Sequence, residues 1–218
     1  MFIPHAVFKD RRDGGRQLGK KLLAYKKYHP IILALPRGGI VIGHEIAKQL
    51  NVNLEVLVVR KLGSPFNPEF AIGAITEDEI IFLDETTIQV LGIPNQIIKQ
   101  LVNTETEELN RRVKIYRGNK KMILLKNKVA IIVDDGLATG ATAMAAIKYA
   151  SKQCPKEIIF AAPVCTYDSL EKLKPFVSKT ISILTPKELT SISTYYESFP
   201  QTSDEDVIKL LHSNARLL

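Results

Sequence analysis

The chain has 218 residues, 45% of them apolar and 24% charged, values of one globular domain with a core of ordinary size and not of a disordered or fibrous chain. No apolar run approaches the roughly 18 residues of a membrane span, MFIPHAVFKDRR lacks the long apolar stretch of an export signal, and Cys154 and Cys165 form neither a disulfide framework nor a zinc pattern, so reduced thiols and a cytoplasmic location are expected. The net charge of +7 gathers mainly in residues 11–27 and 111–128 without a helix-turn-helix, zinc finger or aromatic-basic pattern, which points to solvated helix faces or an anionic small substrate before nucleic acid.

In chain order, residues 1–12 read as an extended arm, and 13–28 as a helix with Leu18, Leu22, Leu23 and Tyr25 as candidates for the buried side. Residues 31–35 are a short apolar run between Pro30 and Pro36, hence a strand. It leads through Arg37, Gly38 and Gly39 into a helix over 40–50, with Val41, Ile46, Ala47 and Leu50 facing inward. Such a loop, at the C-terminal end of a strand, offers a fixed charge and bare amides, a combination suited to pyrophosphate. A strand over 54–59 ends at Arg60 and Lys61, GSPFN at 63–67 has turn chemistry, and antiparallel strands over 71–76 and 79–83 follow.

Helices are predicted over 86–91, ending at Gly92, and over 94–116, with Pro94 in the first turn. On the longer one Ile97, Leu101, Thr104, Glu108, Arg111 and Ile115 recur at three and four, and Glu107–Arg111 and Glu108–Arg112 are i, i+4 pairs. Residues 84–118 thus read as a helical insertion, for which a lid, a homodimer contact and plain packing are equal readings.

The richest stretch is 129–142, VAIIVDDGLATGAT. Five apolar residues without alternation describe a strand buried on both faces of a parallel sheet. Two carboxylates and a run of small residues then lead into an alanine-rich helix, whose first N–H groups have no intrahelical partner and carry the positive end of the dipole. Thr139 and Thr142 add hydroxyl donors, and Thr142 could cap the helix. Asp134 and Asp135 would repel a phosphate but can accept hydrogen bonds from neutral hydroxyls beside it, so the whole describes a site for a sugar phosphate. The P-loop lysine and the GxGxxG spacing are both missing. Strands over 157–162 and 178–184 flank a helix over 166–173. Ser203 and Asp206 form a near capping box ahead of the last helix.

VAIIVDDGLATGAT closely resembles the phosphoribosyl pyrophosphate (PRPP) motif of the type I phosphoribosyltransferases. With PRGG, RKLG and NPEFAIGA it resembles, over nearly the full chain, the uncharacterised phosphoribosyltransferase-domain proteins. The resemblance implies one α/β domain of three layers with a mostly parallel central sheet, a helical insertion over about 84–118, and a small hood from 1–12 and 185–218. It implies a transferase of nucleotide metabolism that uses PRPP and Mg²⁺, the ion bound mainly through pyrophosphate, to place ribose 5-phosphate on a nitrogenous acceptor such as a nucleobase. Asp134 and Asp135 would hold the ribose hydroxyls, and Gly136, Leu137, Ala138, Thr139, Gly140, Ala141 and Thr142 would wrap the 5-phosphate. Arg37, Gly38 and Gly39 would take the pyrophosphate and Lys61 would contact PRPP.

The resemblance also implies that Arg11, in FKDRRDGG, reaches the site, that a mobile loop begins near residue 63, and that Tyr195, Tyr196 or Phe199 stacks on the acceptor. Ala138 stands where relatives acting on 6-oxopurines often carry an acid, which lowers the case for hypoxanthine or guanine. Glu69 and Glu77 are candidates for the carboxylate that adenine-type relatives take from the mobile loop. The alternative is a non-catalytic PRPP-binding regulatory module, possibly nucleic-acid binding; retention of Arg37, Gly38, Gly39 and Lys61 favours the enzyme.

Overall fold

The computed structural model describes residues 7–68 and 70–215. The elements of the first half are α1 (Arg11–Leu22), β1 (Ile31–Ala34), α2 (Gly39–Leu50), β2 (Leu54–Val56), β3 (Val59–Gly63), β4 (Ala71–Thr76), β5 (Ile81–Leu83), α3 (Glu85–Leu91) and α4 (Asn95–Arg117). Those of the second half are β6 (Val129–Val133), α5 (Ala141–Lys152), β7 (Glu157–Val164), α6 (Tyr167–Leu173), β8 (Lys179–Leu184) and α7 (Asp204–Ala215).

The continuous apolar runs form the centre of a five-stranded, all-parallel sheet in the order β2-β1-β6-β7-β8. Successive side chains of a strand point to opposite faces. Ile32 and Ala34 therefore join the core under α1, α2 and α7, and Ile31, Leu33 and Leu35 the core under α5 and α6. Three layers result, as predicted. Chain order reverses between β1 and β6, the topological switch point at which open α/β sheets leave a crevice outside the strands' C-terminal ends. Among the described residues, no helix is long and apolar enough to cross a membrane.

Several local readings change. The helix over 13–28 is α1 followed by a 3-10 turn over Leu23–Tyr28, which leaves Leu23 49% exposed. The single strand over 54–59 is two: β2 pairs with β1, while β3 belongs to a separate antiparallel sheet, β3-β4-β5. The apolar run continues through both, so periodicity alone could not show where the pairing partner changes. β5 begins at Ile81 because Thr76 to Ile80 closes a tight turn with Glu79 at φ 55°.

On α4 the buried side chains are Ile98, Leu109 and Tyr116, centred one position round from the predicted stripe, and the predicted Ile97 and Leu101 pack against the same core, partly buried, beside Val102 and Val113. Glu108 accepts from both Arg111 (2.6 Å) and Arg112 (2.8 Å), so Arg111 pairs three residues back and not with Glu107. The insertion lies against β3, β4 and α7 of its own chain.

The capping box forms reciprocally: the Ser203 N–H donates to Asp206 Oδ2 at 3.0 Å and the Asp206 N–H to Ser203 Oγ at 3.1 Å. Ser203→Ala is expected to cost about 1 kcal/mol, or roughly 2–4 °C in melting temperature, measurable by thermal denaturation.

Candidate functional site

Two loops leave the sheet side by side at the switch point. Leu35, just past β1, donates its N–H to the Val133 carbonyl at 2.9 Å, and the chain then turns through 36–39, with a cis Pro36–Arg37 peptide, into α2. From β6 the chain turns through 134–140 into α5. Both helices start on glycine without a side-chain cap, Gly38 for α2 and Gly140, at φ 85°, for α5. A Ser or Asp there would fill first-turn N–H groups with its own oxygen, whereas glycine leaves the dipole to an outside anion; in α2 the Ile40 and Val41 N–H groups already donate to the Arg37 and Gly38 carbonyls, so its amides for an anion are those of Gly38 and Gly39. At Gly140 the left-handed conformation itself favours glycine. Thr142 is therefore not the cap that was predicted; it lies in the first turn, and Thr139 is exposed before it.

Asp134 and Asp135 lie between the two helix starts. A Cβ at Gly39 would come within 2.8 Å of the Val133 carbonyl and 3.1 Å of an Asp134 carboxylate oxygen, and one at Gly38 would fall onto the Asp135 carboxylate. The PRGG loop and the acidic pair thus share one cleft. Burial first, and then the charge of Asp135, push the Asp134 carboxyl well above the ordinary carboxylate range. The Asp135 N–H donates to Asp134 Oδ1 at 2.8 Å.

Arg11 reaches the pair, as expected: its Nε donates to Asp135 Oδ2 at 2.7 Å, with side chains only 10% and 17% exposed. Its Nη1 donates to the Pro200 carbonyl at 2.6 Å, and the guanidinium lies 3.5 Å over the Phe199 ring. The Tyr196 hydroxyl donates to the Asp135 carbonyl at 2.8 Å.

A family model for the phosphoribosyl transferase domain matches residues 11–194, a span holding both loops. The chain belongs to the phosphoribosyl transferase family. Two Mycobacterium tuberculosis proteins, from strains CDC 1551 and H37Rv and provisionally named phosphoribosyl transferases, are 36% identical over 205 residues, which is 94% of this chain and 46% of theirs. The chain therefore spans about half the length of these relatives. The crystal structure of TT1426 from Thermus thermophilus matches with a TM-score of 0.79 at 32% identity, covering 94% of this chain and 98% of that one. AQ2163 from Aquifex aeolicus, 11% identical with a TM-score of 0.54 over 86% and 85% of the two chains, shares the fold.

Other residues of the chain stand differently from expectation. Leu137 is 2% exposed, donates its N–H to the Val164 carbonyl at 2.8 Å and accepts from the Thr166 N–H at 3.1 Å, so it pins the loop to the end of β7 and has no amide to offer a phosphate. Gly136 lies under Ile192, whose side-chain carbons are 2.6 Å from where a Cβ would stand; its smallness admits the covering segment. The Ala138 carbonyl accepts from the hydroxyls of Ser169 and Thr166. Gly140 to Thr142 and the exposed Thr139 remain as the open part of the cradle.

The Arg37 side chain extends toward α7, its Nη1 4.0 Å from Asp204 Oδ1. Asp204 also accepts from the Tyr116 hydroxyl (2.6 Å) and Arg111 (3.3 Å), and these, the tyrosine foremost, hold its carboxyl below the ordinary range. Lys61 lies within β3, opposite Ala74, and so on the second sheet and not at the end of a parallel strand. Its neighbour Arg60 donates to Glu105 at 2.6 Å.

Glu77 is ruled out as a base at the cleft: it is ion-paired with Arg117, both side chains nearly buried. That turn lies beside Tyr149, whose phenol is raised by burial and then by Asp78, eight residues along α5 from Ala141 or about 12 Å. Glu69 lies outside the described residues, as does half of the predicted arm, residues 1–6. The mobile loop expected to begin near residue 63 is short among the described residues, because β4 and β5 form the second sheet against α5 and leave residues 64–68 and 70 and the 77–80 turn between strands.

Tyr196 rests between Phe8 (5.2 Å) and Phe199 (4.9 Å), and Arg11 covers Phe199, so these rings are engaged within the protein and not held open for an acceptor. Pro200, Ile192 and Asp204 are the site neighbours that sequence reasoning missed, and Tyr196, expected there as a stacking ring, instead holds the Asp135 carbonyl. Only the capping box, which puts Asp204 at a helix start, left a local signal.

Proposed function

We propose that this phosphoribosyl transferase moves ribose 5-phosphate from PRPP to a nitrogenous acceptor, a nucleobase among the candidates, with release of pyrophosphate. The observation that carries this reading is the pair of uncapped helix starts, α2 and α5, on adjacent strands with two carboxylates between them. PRPP has a matching pattern: two anionic groups, on C5 and C1, separated by two neutral hydroxyls.

In this reading the first-turn amides of α5, with Thr139 and Thr142, bind the 5-phosphate, and the amides at Gly38 and Gly39, with Arg37, receive the pyrophosphate. Asp134 and Asp135 accept from the ribose hydroxyls and favour the positive charge that develops at C1. The acceptor nitrogen forms its bond to C1 as the C1–O bond breaks, and the electron pair leaves with pyrophosphate. Mg²⁺ enters as part of the substrate, on pyrophosphate oxygens, and supplies charge neutralisation there. The acidic pair suits hydroxyls better than a divalent cation, since Asp135 is already engaged by Arg11.

The test is pyrophosphate release from PRPP with Mg²⁺ across a panel of purines, pyrimidines and small amines. Release with one acceptor class is expected. PRPP binding with no turnover on any acceptor would replace transfer by a binding role.

A further inference from the structure

Away from the cleft, a cavity of about 370 Å³ opens where α4 ends and β2 begins, at the N-terminal edge of the sheet. Lys114, Arg117, Lys120, Lys121 and His212 line it, against one acid, Glu55. Burial pushes the Glu55 carboxyl up, which weakens its opposition to an anion. The Arg117 side chain is 9% exposed; one side of its guanidinium meets Glu77, while Nε, like Glu77 Oε1 beside it, has no hydrogen-bond partner among the described residues. A buried donor left unpaired is costly unless something outside the chain accepts from it.

Tyr116, Ile208 and Leu211 give the same cavity an apolar wall. Its volume falls in the range of small-molecule sites and exceeds what a bare inorganic anion fills. Asn53, Leu54 and Glu55 at the start of β2 line the cavity, whereas the two loops of the cleft follow the C-terminal ends of β1 and β6, so this is not the phosphate cradle. We propose that the cavity is a second anion site, taking a phosphorylated small molecule of about mononucleotide size that also carries a ring. Lys114, Arg117, Lys120 and Lys121 of the basic stretch over 111–128 thereby acquire a ligand. Its concave, partly apolar form fits a small molecule better than the backbone of a nucleic acid.

The chain contains no tryptophan, so Ile115→Trp, at a lining position 38% exposed, reports on this cavity alone. Titration of that variant with adenosine 5′-monophosphate is expected to change its fluorescence saturably, with inorganic phosphate binding more weakly. Adding Lys120→Glu and Lys121→Glu, both exposed and outside any helix or strand, should weaken the nucleotide at least tenfold, with an unchanged melting curve as the control. No saturable change, or equal affinity in the lysine variant, would overturn the proposal. So would a single-stranded oligonucleotide that binds through these lysines while the mononucleotide does not.

Discussion

Replacing Asp134 and Asp135 together by asparagine is expected to abolish measurable PRPP binding while leaving the fold intact. Each aspartate would accept a charge-assisted hydrogen bond from a ribose hydroxyl, worth about 1.5–3 kcal/mol. An amide oxygen still accepts, but without the charge, so a loss of at least about 100-fold in affinity follows for the pair. The fold tolerates the change because asparagine keeps an acceptor for the Asp135 N–H and for Arg11 Nε.

Stability has a definite sign here. The folded state raises the Asp134 carboxyl, so the stabilisation tied to its proton is full below the unfolded value of about 3.9 and is lost as pH rises through the folded value. Asparagine removes that loss at Asp134, while neutralising Asp135 leaves the buried Arg11 facing an uncharged acceptor, so the double variant should still fold cooperatively at neutral pH with a melting temperature lowered by no more than the Arg11–Asp135 pair contributes. Calorimetry with PRPP, paired with thermal denaturation, checks both halves; unchanged affinity would sink the assignment of the acidic pair.

Arg11→Ala is expected to have the largest effect on stability of any change at the cleft. Breaking a buried ion pair from one side costs about 3–5 kcal/mol, and the slight exposure of this one brings the figure to roughly 2–4 kcal/mol. The Pro200 carbonyl loses its donor and Phe199 its cover in the same step. A fall of about 5–15 °C in melting temperature follows. Arg11→Lys should recover only part of it, because one ammonium cannot serve Asp135 and Pro200 in the fixed fork of a guanidinium. A double-mutant cycle with Asp135→Asn isolates the ion pair; a coupling energy near zero would show that Arg11 acts by packing alone.

Much of the parallel sheet was legible because its signals are local. The runs at 31–34, 129–133 and 158–164 are apolar throughout because each strand is buried on both faces. The small-residue turn before Ala141, the positive φ at Gly140 and the capping box at Ser203 likewise follow from the sterics of a few neighbouring residues. For the same reason the two glycine-started loops and the acidic pair could be picked out as one candidate site.

The remainder depends on which distant segments meet. Residues 54–63 divide between two sheets because Leu57 still donates to the Ala34 carbonyl while Val59 pairs with Thr76. The buried face of α4 is shifted by one residue because β3 and α7 choose it, not the helix's own pattern. Asp135 is held by Arg11 from 124 residues away and by Tyr196 from 61 away, and Leu137 is pinned by Val164. By itself the sequence determined where the chain runs as strand or helix and where its backbone is bare, since both follow from short-range geometry. Only the tertiary structure decided which of those bare or charged groups face an open cleft and which are already engaged, because that depends on contacts between segments with no shared local pattern.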